Sequence, residues 1–293
     1  YTHGTKLSCG GFLNMKIKII VDSTSNLKTE DYNTEEVPFE VVPLSLIIGE
    51  KDYVDDCKND LKEIVSVSER SKAENIKITT ACPSPQAYLD AYQGADKYIV
   101  ITLSQKVSGS YNSACVARDM LEHPEDVFVM DSYACCGIVE LLVRHAIEWI
   151  KEGLSFEKIQ EKLVDDRSER HIVFIIGKFD SLIKTGHVSK IVAGIACRLK
   201  IKPIGIEKDG EIHILEIART IEGSFKRLLN NVSKFYKECK EKLCVISHTQ
   251  NSERALKLKE ALENELGFEN VIIRDNQAVI SYYSLSGAIM VSF

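Results

Sequence analysis

Residues Tyr98 to Ala114 read YIVITLSQKVSGSYNSA, and the change of character inside this stretch decides the fold class. Tyr98 to Leu103 is a run of apolar and β-branched side chains, the composition of a buried strand. Ser104, Ser108, Gly109, Ser110 and Asn112 follow, small residues rich in hydroxyls and able to expose backbone N–H groups. Ser113 to Leu121 then reads as the body of a helix. Strand, hydroxyl-rich turn and helix start is how α/β proteins build anion sites. Unpaired N–H groups and the positive end of the helix dipole converge there. The plainer reading is a helix N-cap, which Ser and Asn provide constantly.

Working outward, the same sequence of features recurs. Lys16 to Val21 (KIKIIV) runs into Asp22-Ser23-Thr24-Ser25-Asn26, where Asp22 is placed to accept backbone N–H bonds; an Asx-turn without a ligand is the alternative. Val37 to Ile48 is apolar and β-branched, with Pro38 and Pro43 limiting it to edge or broken strands. Asn59 to Ser71 reads as a helix. Ile76 to Thr80 is a strand followed by Ala81, Cys82 and Pro83, with Ser84 a good N-cap and Pro85 suited to the first helical position. Val127 to Met130 ends at Asp131-Ser132. Ala134 to Ile150 is a helix apolar nearly all round, expected between layers. Phe156 to Leu163 is a further helix, and the charged run Asp165 to Arg170 reads as a break. Alternating strands and helices imply an α/β fold whose N-terminal sheet is mostly parallel, with flanking helices. Ligands of such sheets lie beyond the C-terminal strand ends. Four hydroxyl loops, at Ser23, Thr80, Ser108 and Ser132, are therefore expected on one edge.

The second half is patterned differently. Strands are expected at His171 to Ile176, Ile201 to Ile206, Glu211 to Glu216, Leu243 to His248, Val271 to Arg274 and Ala288 to Phe293. Glu207-Lys208-Asp209-Gly210 is a hairpin turn. Ser181 to Lys184 reads as a short helical turn. Helices are expected over Val188 to Leu199, Thr220 to Tyr236 and Asn251 to Leu266, the last with Leu256, Leu258, Leu262 and Leu266 on its apolar positions. Hairpins mixed with helices suggest a C-terminal α+β sandwich domain. Residues 1–14 lack periodicity and read as an expression-derived or start-site extension, followed by an N-terminal α/β domain over 15–166 and a C-terminal domain over 167–293.

Composition narrows the function classes. In 293 residues, 44% hydrophobic and 27% charged side chains suit a globular protein with a substantial core. The net charge of -6, with no basic block, argues against nucleic acid as partner. Nine scattered cysteines without a C-x-x-C pair fit reduced, mostly buried thiols and a cytoplasmic setting, rather than a disulfide framework or a zinc site. No apolar run has the length of a membrane span or the form of a secretory signal, so no stable membrane anchor is expected.

Taken together, the loops resemble those of the DegV family of bacterial fatty-acid-binding proteins. Asp22 to Ser25 resembles the family's D-S-T-S/A, Thr80 to Pro85 its T-S-Q-P-S-P, and Ser104 to Ala114 its S-S-G-L-S-G-T-Y-Q-S-A, with Ser108-Gly109 at the second Ser-Gly. Val129 to Ser132 matches its strand ending in Asp-Ser, Lys184 to Lys190 (KTGHVSK) its K-G-G-R-I-S-K, and Ile201 to Pro203 the start of its I-K-P-I. Val279 to Phe293 resembles the closing V-I-G-T-H-T-G-P-G-A-L-G-I-A-F. The motifs occur in this order from Met15 to Phe293.

The resemblance implies a carrier without chemistry of its own or a cofactor, holding one long-chain fatty acid in a tunnel between two domains. The carboxylate would be bound by Thr80, Ser108, Gly109 and Tyr283, supported by the loops at Ser23, Ala81, Ser104, Asp131 and Ser284. In several relatives the carboxylate is presented to a separate ATP-dependent fatty acid kinase; His187 and Arg219 would face it. Candidate tunnel-lining residues are Ile138 to Leu142 and Ile191 to Ile195, with ordinary core packing as the alternative. Two departures stand out: Tyr283 occupies the place of a His, and Leu285-Ser286 that of Gly-Pro. His187 stands in place of an Arg, losing a bidentate donor. The competing function is a serine-dependent acyl hydrolase or acyltransferase using Ser108. Against it, Ser108 lies in V-S-G-S rather than a G-x-S-x-G elbow, and no G-x-G-x-x-G or P-loop accompanies it.

Overall fold

The computed structural model describes residues 15–177, 182–183, 186, 201–236 and 242–293. His187, Ile191 to Ile195 and the helix expected over Val188 to Leu199 lie outside them. The first half runs β1 (Ile17–Asp22), α1 (Thr29–Tyr32), β2 (Phe39–Val42), β3 (Ser45–Ile48), β4 (Lys51–Val54), α2 (Leu61–Arg70), β5 (Ile78–Ala81), α3 (Pro85–Ala91), β6 (Lys97–Thr102), α4 (Ser110–Asp119), β7 (Val127–Asp131), α5 (Gly137–Lys151) and α6 (Phe156–Ser168). The second runs β8 (Ile172–Ile175), β9 (Lys202–Lys208), β10 (Glu211–Ala218), α7 (Ile221–Tyr236), β11 (Leu243–His248), α8 (Ser252–Leu266), β12 (Asn270–Asp275), α9 (Ala278–Ser284) and β13 (Ile289–Ser292).

The described residues form three sheets. β2-β1-β6-β7 is parallel throughout, as expected. The sheet β10-β9-β8-β13-β11-β12 is mixed, with only β11 and β12 parallel. The third, β4-β3-β5, is antiparallel and was not anticipated. The strand carrying Thr80 thus belongs to this small sheet and not to the parallel one. Pro43 explains the switch: without an N–H it cannot continue the β2 ladder, and the chain leaves to pair with β4 and β5 instead.

The N-terminal half of helix α5 lies between the parallel and the mixed sheet, where Gly137 to Val143 are all buried. Ile138, Val139, Leu142 and Val143 pack in one core with Ile19, Ile99, Phe174 and Met290. Strand β8 is buried on both sides: Ile172 and Phe174 face this core, while Val173 and Ile175 face a second one shared with α7 and α8. A third core lies under α3 and α4, and a fourth joins the antiparallel sheet to α2 and α9.

Several local expectations are corrected. Asp165 to Arg170 is no break, since α6 continues to Ser168. Leu256 is 57% exposed and faces away from the core of α8. Ile138 to Leu142 are core residues, none of which lines the cavity described below. Of the six described cysteines only Cys136 and Cys244 are buried, and Cys82 is exposed. Among the described residues no helix is long and apolar enough to cross a membrane.

Candidate functional site

A cavity of about 610 Å³ lies between the mixed sheet, the antiparallel sheet and the C-terminal end of β6. Its volume is within the ~300–1,000 Å³ of small-molecule sites. Ile172, Phe174 and Ile176 from β8 and the residue after it, together with Met290, Ile212 and Leu103, supply apolar walls. Phe174 reaches it because Gly205 stands opposite in the β8–β9 register: a Cβ at Gly205 would lie 2.2 Å from the ring. Thr79, Thr80, Ser108, Gly109, Tyr283 and Ser284 supply polar groups.

Thr80 and Tyr283, 203 residues apart, meet directly, with their hydroxyl oxygens 2.8 Å apart. Thr79 and Thr80 both line the cavity near the end of β5, while Ala81 is exposed outside the lining. Ser108 lines the cavity just before α4, whose N-cap position is Gly109; its Oγ accepts from Ser110 N at 3.2 Å and lies 3.0 Å from Ser110 Oγ. Ser284 is buried beside Thr249, oxygen to oxygen 2.8 Å. Ser104 Oγ donates to Gly210 O at 2.8 Å, docking the β9–β10 hairpin on the loop after β6. Asp209 and Gly210 both have positive φ (53° and 82°), the mark of a type I′ turn. A Cβ at Gly210 would also lie 2.6 Å from Ser104 Oγ, so only glycine fits.

The remaining expected residues are structural supports. Asp22 accepts from Thr24 N in its own loop, as anticipated, and also from Leu103 N, which ties that loop to the one after β6. Asp131 accepts from Tyr133 N and Gln105 N. Ser23 is buried outside the lining and donates to Asp55. Arg219 is exposed just beyond β10 and does not line the cavity. Glu207, which the sequence reading passed over, does line it. Its position after the apolar Ile204 to Ile206 of β9, two residues before Asp209-Gly210, was the available signal.

Burial dominates the carboxyl groups here. It pushes Asp22 and Asp55 up to about 6 despite the hydrogen bonds each accepts, and Glu207 up to about 7. In each case the folded protein holds the proton more tightly than the unfolded chain. Acidification therefore favours the folded state, and the cost of ionisation is complete only above the raised value. Glu207→Gln is expected to raise the unfolding midpoint at pH 8, with the difference closing as pH falls to about 5. Thermal melts across this range check it; an offset independent of pH would contradict the burial argument.

A family model for the uncharacterised proteins of the DegV family matches residues 16–293. The chain belongs to the DegV family. A DegV domain-containing protein of Streptococcus pyogenes serotype M1 is 30% identical over 286 residues, covering 95% of this chain and 99% of the relative. The DegV fold is equally clear among solved structures. The fatty acid kinase B3 protein of Streptococcus pneumoniae, loaded with linoleic acid, superposes with a TM-score of 0.86 at 27% identity, covering 95% of this chain and 99% of that one. A DegV family protein of Eubacterium eligens, loaded with heptadecanoic acid, gives 0.83 at 26% identity, covering 94% and 98%.

Proposed function

We propose that this DegV protein binds one long-chain fatty acid, its acyl chain among the apolar walls and its carboxylate at Thr80, Ser108, Gly109 and Tyr283. The observation that carries the reading is the meeting of Thr80 and Tyr283 at the wall of the 610 Å³ cavity, two donors that can both turn to one acceptor. Fatty acids bound in the pneumococcal and E. eligens relatives support it. A carboxylate needs no Lys or Arg where hydroxyls and N–H groups near a helix start can make charge-assisted bonds to it. The phenol of Tyr283 donates in place of the expected His. Asp22, Asp131 and Ser104 hold the loops, and the acyl chain would continue as a tunnel between domains dividing near residues 166–167, within the last turn of α6.

The name of the pneumococcal relative supports a further step, in which the carboxylate is presented to a separate fatty acid kinase; exposed Arg219 would face that partner. The protein then acts as a non-catalytic carrier. Ser108 suits a donor better than a nucleophile, since its oxygen is engaged by Ser110 and not by a histidine. Native mass spectrometry of protein purified from a bacterial host should show one added fatty acid, released by organic extraction. Protein that stays empty and hydrolyses acyl esters, with that activity lost in Ser108→Ala, would overturn the carrier reading.

A further inference from the structure

Helix α9 carries Val279, Ile280, Tyr283 and Ser284 to the cavity, yet it has only seven residues. So short a helix has no stability of its own, and its direction is set by whatever holds its ends. Its first N–H groups are held by two side chains from the first 60 residues of the chain. Asp55 Oδ1 accepts from Ala278 N at 2.8 Å and Val279 N at 3.4 Å, and Asn26 Oδ1 accepts from Gln277 N at 2.9 Å. The other oxygen of Asp55 accepts from Ser23 Oγ at 2.8 Å, which in turn accepts from Leu44 N. Asp55 N donates to Leu44 O, closing the loop on the residue just before β3. Strand β3 pairs with β5 in a register that sets Leu46 opposite Thr80.

Strand pairing and hydrogen bonds thus link Thr80 through β3 to Asp55, and Asp55 to the first turn of the helix that carries Tyr283. Asp55 is fully buried, which makes its carboxyl costly to keep ionised. A side chain that only filled space there would be apolar.

We propose that Asp55 is a positioning residue for the polar end of the cavity: by tying the first turn of α9 to the sheet that carries Thr80, it holds Tyr283 at hydrogen-bonding distance from Thr80. The consequence for ligand rests on the head-group reading given above; the consequence for the Thr80–Tyr283 contact does not. An error of about 1 Å in the helix start is enough to break a contact of this kind.

The test uses the full chain with 13Cζ-tyrosine labelling, the Tyr283 signal being assigned from its loss in Tyr283→Phe. Asp55→Asn is expected to move that signal to the position it takes in Thr80→Val. Asp56→Asn, an exposed neighbour paired with Lys58, should leave it in place. Binding of palmitate should weaken about tenfold in Asp55→Asn, the loss of one hydrogen bond to a charged group. Methyl palmitate should change by less than about twofold, and adding Asp55→Asn to Tyr283→Phe should cost less than about twofold more. Should Asp55→Asn not fold, Ser23→Ala releases the second oxygen of Asp55 and is expected to shift Tyr283 in the same direction by less. An unmoved Tyr283 signal, or equal losses for acid and ester, overturns the positioning role. A shifted signal with palmitate binding unaffected by Tyr283→Phe upholds it and instead sinks the head-group reading.

Discussion

Glu140→Ala is expected to destabilise the protein by about 3–5 kcal/mol, the range for breaking a buried ion pair from one side. Glu140 is fully buried on α5, whose other charged residues, Arg144, Glu148 and Lys151, reach solvent. Its carboxylate accepts from Arg274 Nε and Nη2 at 3.0 and 2.9 Å, from Tyr32 OH at 2.7 Å and from Arg144 Nη2 at 3.0 Å. Burial alone would raise its pKa; Arg274, Tyr32 and Arg144 more than offset this and hold it below the usual carboxylate value. Truncation leaves the guanidinium of Arg274, on the edge strand β12, with Asp31 at 3.5 Å in place of the two-pronged Glu140 contact. It also parts α1 and α5 from the mixed sheet. Denaturant unfolding should show the midpoint falling with an unchanged slope. Arg274→Lys should cost less, since charge remains and only the two-pronged geometry is lost. A loss below about 1 kcal/mol for Glu140→Ala would mean that water screens the cluster as it screens surface pairs.

The parts of the fold and the cavity visible in the sequence are those written in local pattern. The parallel sheet, the hydroxyl turns and α5 follow from periodicity and turn chemistry within a few residues. Ser84 does cap α3, accepting from Ala87 N, with Pro85 at its start. What depended on distant pairing was hidden. Thr80 could be read as a residue near the ligand, but not as part of a separate antiparallel sheet, because that depends on where the chain goes after Pro43. Asp55 gave no sign, since its partner Ala278 lies 223 positions away. The walls were misjudged for a physical reason. The stretch Ile138 to Leu142, buried on every side with Glu140 taken up by Arg274, touches two sheets and leaves no room for a ligand. By contrast Ile172, Phe174 and Ile176 line the space from a strand whose two buried faces erase the usual alternation.

Thr80→Ala combined with Ser108→Ala should weaken binding of a long-chain fatty acid by about 100-fold, while its methyl ester loses less than about threefold. The figure takes each hydroxyl as one charge-assisted bond of about 1.5 kcal/mol, the low end for hydrogen bonds to charged groups. In the structure Thr80 and Tyr283 are turned toward each other at 2.8 Å, and Ser108 is turned toward Ser110. An incoming carboxylate must draw these hydrogens away from neutral oxygens. It does so because an anionic acceptor makes bonds about twice as strong. An ester carbonyl has no such advantage, and the hydroxyls gain little by leaving their partners. The contrast between acid and ester therefore isolates head-group recognition from burial of the acyl chain, which both ligands share. Titration calorimetry with matched acid and ester would read both losses on one scale. Equal losses for the two would place the hydroxyls along the chain and not at its head.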